Sequence, residues 1–183
     1  MKEGELIEKF IAKDGREYTF RYVSKKDAKK LLSFINSLVE EKALILKDRN
    51  ATLKDEREWV KDLVNGMKKK KAVGIVIEFR NKIVGHGTIK RKSFSRSHIG
   101  ELGIAILKEF RGIGLGRELM KLLIENAKKI GCEMIILTVF HSNKIAKILY
   151  KKFGFKKFGI LKKGLKKYGK YYDEIFMVKY LKK

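Results

Sequence analysis

The segment Arg111-Gly112-Ile113-Gly114-Leu115-Gly116-Arg117 sets glycines at alternate positions between two arginines. Glycine tolerates positive φ and lets a ligand come close to main-chain amides, and amides left unpaired at the start of a helix favour an anion. Upstream, Ile104-Ala105-Ile106-Leu107 is apolar and β-prone; downstream, Leu119, Leu122, Leu123 and Ala127 recur at helical spacing. A buried strand, a short turn and a helix N-terminus together make a binding loop for a pyrophosphate, to which Arg111 and Arg117 would add charge-assisted contacts. Glycine-rich turns are common, and the same residues also suit an ordinary strand-to-helix connection.

Spacing excludes two other phosphate loops. A dinucleotide site of the Rossmann type wants G-x-G-x-x-G directly after a strand and an acidic residue at the end of the next strand. Here the pattern is G-x-G-x-G after a five-residue turn, and Glu133 stands at the start of the following apolar run. A Walker loop needs Gly-Lys-Ser/Thr, which does not occur.

The elements that must hold this loop follow from periodicity. Leu6–Ala12 and Tyr18–Val23 alternate around Asp14-Gly15 and read as a hairpin. Ser24 with Asp27, and Thr52 with Asp55, are helix starts; Leu31, Leu32, Ile35 and Leu38 follow the first, and Trp59, Leu63 and Met67 the second. Val73–Phe79, Ile83–Lys90 and Ile99–Leu107 predict a three-strand antiparallel meander with a turn at Arg80-Asn81. The helix opened by the glycines ends at Gly131, Met134–Phe140 is a strand, and Asn143–Phe153 is a short helix stopped by Gly154. Two last strands, near Phe155–Leu161 and Tyr171–Leu181, flank a basic loop, Lys162–Lys170. The 183 residues suit one α/β domain with a mixed, mostly antiparallel sheet flanked by about four helices.

Composition limits the function. The net charge of +24 raises the local concentration of polyanions without choosing among them, and the lysines are spread as pairs along the chain, as on a solvated surface. No zinc-finger spacing, RNP-like aromatic motif or helix-turn-helix signature accompanies it, so no specific nucleic acid is expected. No apolar stretch is long enough for a membrane span and no signal-peptide core is present, which predicts a cytoplasmic protein and no membrane partner. The single cysteine, Cys132, reads as a small core residue, and His86, His98 and His141 lack metal-ligand spacing, so no metal is expected. A homodimer is compatible with all of this. Pro and Gln are absent and Lys abundant, a pattern that thermophily and genomic nucleotide bias would both produce.

Arg111-Gly112-x-Gly114-x-Gly116 resembles the acetyl-CoA pyrophosphate loop of the GNAT superfamily of N-acetyltransferases. Asn143-x-x-Ala146-x-x-Leu149-Tyr150-x-x-x-Gly154-Phe155 resembles that family's downstream signature, and the order of elements is similar from Tyr18 to Leu181. Lys108 departs from the pattern where relatives often carry proline. The resemblance implies transfer of an acetyl group from acetyl-CoA to a primary amine, small-molecule or peptide, in a ternary complex. It implies main-chain contacts to the cofactor's pantetheine arm from Ile104, Ala105 and Ile106. Pyrophosphate contacts would come from the amides of Arg111, Gly112, Ile113, Gly114, Leu115, Gly116 and Arg117, and a further contact from Asn143, which is equally suited to cap its helix.

Tyr150 is the implied general acid for the departing thiolate, with an aromatic core role as its alternative. The acceptor ammonium must also lose a proton. Glu101, a carboxylate in the apolar strand Ile99–Ile106, is expected to be desolvated and its pKa raised, which suits a base; His98 and a water chain are the alternatives. The acceptor pocket is expected between the two N-terminal helices and the loop Lys162–Lys170, whose lysines would favour an amine carrying a carboxylate over a polycation. Two other functions remain in view: a basic nucleic-acid-binding module, and a catalytically silent acyl-CoA-binding fold.

Overall fold

A computed structural model describes residues 1–181. Capping boxes start both N-terminal helices, in which the Ser24 and Thr52 side chains accept main-chain bonds while Asp27 and Asp55 bond back to the cap amides. After Ser24 comes one tight turn and then α1 (Ala28–Glu40); after Thr52, α2 (Leu53–Lys68). The strands are β1 (Leu6–Ile11), β2 (Glu17–Tyr22), β3 (Ala72–Phe79), β4 (Lys82–Arg91), β5 (Ile99–Ile106), β6 (Met134–Phe140), β7 (Lys156–Lys167) and β8 (Lys170–Tyr180). α3 (Leu115–Lys129) and α4 (Lys144–Lys152) complete the fold.

All eight strands share one sheet, in the order β1-β2-β3-β4-β5-β6-β8-β7. The two-residue connection of β3 to β4 has positive φ at Arg80 (46°) and Asn81 (65°), the geometry that matches strand twist in a tight hairpin. Side-chain alternation fixes the two faces. A Cβ on Gly74 of β3 would meet Leu63 of α2, and one on Gly87 of β4 would meet Leu119 and Leu123 of α3. So α1 and α2 cover one face and α3 the other, with Ile75, Ile77, Ile89, Leu119 and Leu123 buried between. α4 joins the α3 side, since Leu149 and Ile106 both approach Gly116 in the first turn of α3.

One expectation is corrected. Lys162–Lys170 is not a loop: β7 runs on to Lys167 and pairs Leu165 with Tyr172 and Lys167 with Lys170, after an irregularity between Leu161 and Leu165. The turn is confined to Tyr168-Gly169, both at positive φ. Sequence periodicity misses the strand because β7 lies at the sheet edge, where lysines on both faces are tolerated and discourage further pairing.

Candidate active site

β5 and β6 are the sheet's parallel pair, and they stay together for only three residue pairs, Ile99↔Met134, Gly100↔Ile135 and Glu101↔Ile136. Each strand then continues with its outer neighbour, β5 with β4 as far as Ile106 and β6 with β8 as far as Phe140. The facing edges of Leu102–Ile106 and Leu137–Phe140 are therefore unpaired, and the sheet opens into a crevice whose walls are bare main chain. Such edges pair with an extended amide-bearing ligand as they would with a strand.

The glycine turn stands at the mouth of the crevice. After a helical turn at Lys108–Phe110, Gly112 has φ 82° and Gly114, the residue that caps α3, has φ 103°. A Cβ at Gly112 would meet nothing within 4 Å and one at Gly114 only the Phe10 ring at 3.7 Å, so backbone conformation, not space, requires glycine at both. Among the described residues the amides of Gly112 through Gly116 find no protein acceptor, and they lie at the positive end of a 15-residue helix. The β1–β2 turn supports the loop from outside through a 3.0 Å bond from the Lys13 amide to the Ile113 carbonyl.

Arg111 takes a different part from the one its position suggests. Its Nε donates to the Ile106 carbonyl at 2.8 Å and its guanidinium pairs with Glu41, beyond the end of α1, so the side chain ties the turn to its own strand and to the opposite helix layer. Glu41 also accepts from the Lys108 amide at 3.3 Å. The side chain folds back because the tight turn over Lys108–Phe110 brings the Ile106 carbonyl within its reach; the exposed Arg117 has no such partner among the described residues.

On the α3 side, Tyr150 is carried by α4, is buried, and packs its ring against Phe155 at 5.9 Å. Burial alone pushes its phenol up to about 12, and the hydroxyl has no hydrogen-bond partner among the described residues. Asn143 caps α4, accepting from the Ala146 amide at 3.1 Å. On the α1–α2 side lie Glu101, Gly103 and Ala105, by alternation from His86, which pairs with Ala105. Glu101 is not desolvated as expected. Its side chain is 51% exposed and forms an ion pair with Lys92, because it pairs with the exposed Lys90 at the end of the sheet beyond the helical cover. His98 precedes β5, and its carbonyl accepts the Glu133 amide at 2.8 Å.

Residues 35–155 match the model of the acetyltransferase (GNAT) family. The chain belongs to the GNAT family. Over 99 residues it is 34% identical to the L-amino acid N-acetyltransferase AaaT of Escherichia coli (strain K12), a match that spans 53% of this chain and only 61% of that protein. An acetyltransferase of the GNAT family from Streptococcus pneumoniae superposes with a TM-score of 0.81 at 27% identity, covering 90% of this chain and 99% of that one. The structure of yncA from Salmonella typhimurium with its cofactor acetyl-CoA superposes with a TM-score of 0.80 at 22% identity over 91% and 95% of the two chains, a likeness of fold.

Within this GNAT fold, two features of the site have no counterpart in the sequence reading, and a third answers to it only in part. The Glu41–Arg111 pair joins residues 70 positions apart. Lys167 buries its ammonium and donates at 2.7 Å to the carbonyls of both Ala43 and Ile45, and the Tyr168 hydroxyl donates to Val39, so the β7–β8 hairpin grips the α1–α2 connection. Desolvation holds the Lys167 pKa below its ordinary value. The third is a cavity between α1 and α2 over His86, on the helix side of the expected acceptor pocket but with none of Lys162–Lys170 in its lining. None leaves a local signature, because each depends on partners brought together by the sheet. No helix among the described residues is long and apolar enough to cross a membrane.

Proposed function

We propose that this chain moves the acetyl group of acetyl-CoA to a primary amine by direct transfer in a ternary complex. One observation carries the reading: a crevice of unpaired strand edges that leads to the free amides at the start of α3. The edge at Ile104, Ala105 and Ile106 suits the two amides of a pantetheine arm. The amides of Arg111, Gly112, Ile113, Gly114, Leu115, Gly116 and Arg117 suit the pyrophosphate, Gly112 to Gly116 being the ones without an acceptor of their own. Arg111 then serves by holding the turn in shape, and Asn143 by ordering α4 while its side-chain amide stays free to donate. Acetyl-CoA supplies the activated acyl carbon and a thiolate leaving group.

Tyr150 keeps its proton at neutral pH and directs it towards the departing sulfur. Glu101, on the face covered further along by α1 and α2 and paired with Lys92, takes up the acceptor's proton through water. His98 and a water chain are the other routes. The relative in Escherichia coli acts on L-amino acids, and an amino acid is the acceptor we assign here. A thermal-shift comparison of acetyl-CoA with ATP, NAD and a short DNA, followed by thiol release with a panel of amines, tests the reading. Selective stabilisation by acetyl-CoA and amine-dependent release are expected; binding of acetyl-CoA with no release on any amine would leave a silent acyl-CoA-binding fold instead.

A further inference from the structure

A cavity of about 310 Å³ lies between α1 and α2, above the middle of β4. Leu31 and Phe34 of α1, Trp59, Glu56 and Asp55 of α2, His86 of β4 and Lys47 of the α1–α2 connection are among the residues that line it. The His86 ring meets Trp59 at 5.3 Å and Phe34 at 6.4 Å, both near edge-on. Because His86 pairs with Ala105, the cavity sits one strand spacing, about 4.8 Å, from β5, which is a wall of the crevice. Side chains on this face of β5 and β4 thus connect the end of the acetyl donor's path to the cavity with no intervening element.

We infer that this cavity receives the side chain of the acceptor and selects a large uncharged one, aromatic or aliphatic, on an amino acid whose α-amine is the nucleophile. The inference rests on the acetyl-transfer reading above and adds the identity of the acceptor's side chain. The volume is at the small end of ligand sites and the lining is mainly apolar and aromatic, which suits one side chain and not an extended peptide.

The titratable wall groups report a medium that favours neutral forms. Desolvation, aided by the nearby Lys90 charge, pushes the His86 pKa down to about 4, and its Nε2 is sealed with no partner among the described residues. Desolvation also raises Glu56 above the usual carboxylate range. The attraction of Lys47 partly offsets that rise, so the charge Glu56 does carry is opposed from within the cavity. The carboxylate of Asp55, which also lines the cavity, is engaged by the amide and hydroxyl of Thr52, so a lysine-like side chain would lose its hydration beside Lys47 with that carboxylate already taken, and an aspartate-like one would face both Asp55 and Glu56. Lys47, half-exposed on the rim, is left to meet the acceptor's α-carboxylate.

Thiol release measured with glycine, L-phenylalanine, L-leucine, L-lysine and L-aspartate tests this. Phenylalanine and leucine are expected to exceed the other three in kcat/KM by at least about tenfold. Trp59 is the single tryptophan, so its emission should shift when phenylalanine or leucine is titrated into the protein saturated with coenzyme A. Trp59→Ala should cut the preference for phenylalanine over glycine by at least about tenfold with acetyl-CoA affinity retained, and Ile35→Phe, which narrows the cavity from α1, should move the preference towards smaller side chains. A wild-type preference for lysine or aspartate, or selectivity unmoved in both variants, overturns the inference. If acetyl-CoA binds yet no amine releases thiol, the transfer reading fails, and the fluorescence titration still decides the cavity: binding of phenylalanine upholds it and its absence overturns it.

Discussion

Tyr150→Phe removes one oxygen from a ring that is only 6% exposed and keeps its packing on Phe155. The hydroxyl has no partner among the described residues to lose, so folding should change by at most about 1 kcal/mol, a melting shift of no more than roughly 2–4 °C for a chain of this length. The rate should change far more, and the pKa sets by how much. With the phenol pushed up to about 12 against about 8.5 for an ordinary thiol, complete proton transfer to a free thiolate is uphill by about 3.5 units, or roughly 5 kcal/mol. The phenol therefore acts chiefly as a fixed donor to the sulfur while charge develops there, and the thiolate takes its final proton from water. Loss of one such donor costs about 10²–10³-fold, or roughly 2.7–4 kcal/mol. Single-turnover thiol release at saturating amine, read with a chromogenic disulfide, should fall by that factor with acetyl-CoA affinity intact. A variant within about threefold of wild type would return Tyr150 to a purely structural role.

Gly114→Val places a β-branched residue at φ 103°, a conformation that costs about 1–3 kcal/mol, and crowds the amides of the loop; calorimetry should show acetyl-CoA affinity falling at least about tenfold in a folded protein, and an unchanged affinity would remove the loop from the site. Glu101→Gln should lower turnover and displace the acidic limb of the pH–rate profile while acetyl-CoA binds as before, whereas wild-type turnover across pH would leave His98 or water as the proton's route. His86, with its folded-state pKa depressed to about 4, contributes stability that is present above its unfolded value near 6.5 and is lost as pH falls towards 4. That amounts to roughly 3 kcal/mol at full effect, so chemical denaturation of wild type should weaken across this window and that of His86→Gln should be flatter; parallel curves would refute the assignment.

Much of the fold is legible in the sequence because its signals are local. The Ser24 and Thr52 capping boxes, the 3.6-residue apolar spacing of α3 and the β-rich run Met134–Phe140 each depend on residues within a few positions of one another, and the structure places those elements within one or two residues of their predicted ends. β7 is the exception: Lys162–Lys167 carries no apolar alternation, and its strand conformation is imposed by β8 and by the clamp of Lys167 on the Ala43 and Ile45 carbonyls. At the site, the glycines are legible because positive φ at Gly112 and Gly114 demands them. The solvation of Glu101 was not, because strand alternation predicts which face a side chain takes and is silent on whether a helix covers that face.

The two substrates of the proposed reaction are recognised by different parts of the polypeptide, and this decides which of them a sequence can reveal. The donor's arm and pyrophosphate meet main chain, the edges of β5 and the amides of Gly112–Gly116, so at Ile104, Ala105 and Ile106 any side chain that fits a buried strand serves. What the sequence must encode there is the parting of β5 from β6 and the start of α3, and topology encodes it with glycines and a single parallel pairing. The acceptor meets side chains, Trp59, His86, Glu56 and Lys47, drawn from α2, β4 and the connection between the helices. Any one of them reads as an ordinary core or surface residue, and only their convergence between α1 and α2, above β4, makes a pocket. Side-chain variation at those positions therefore alters the acceptor without touching the donor's site, and the Glu41–Arg111 pair, which spans the two helix layers, is the described ion pair through which the α1 end of the acceptor side and the donor loop are mechanically joined.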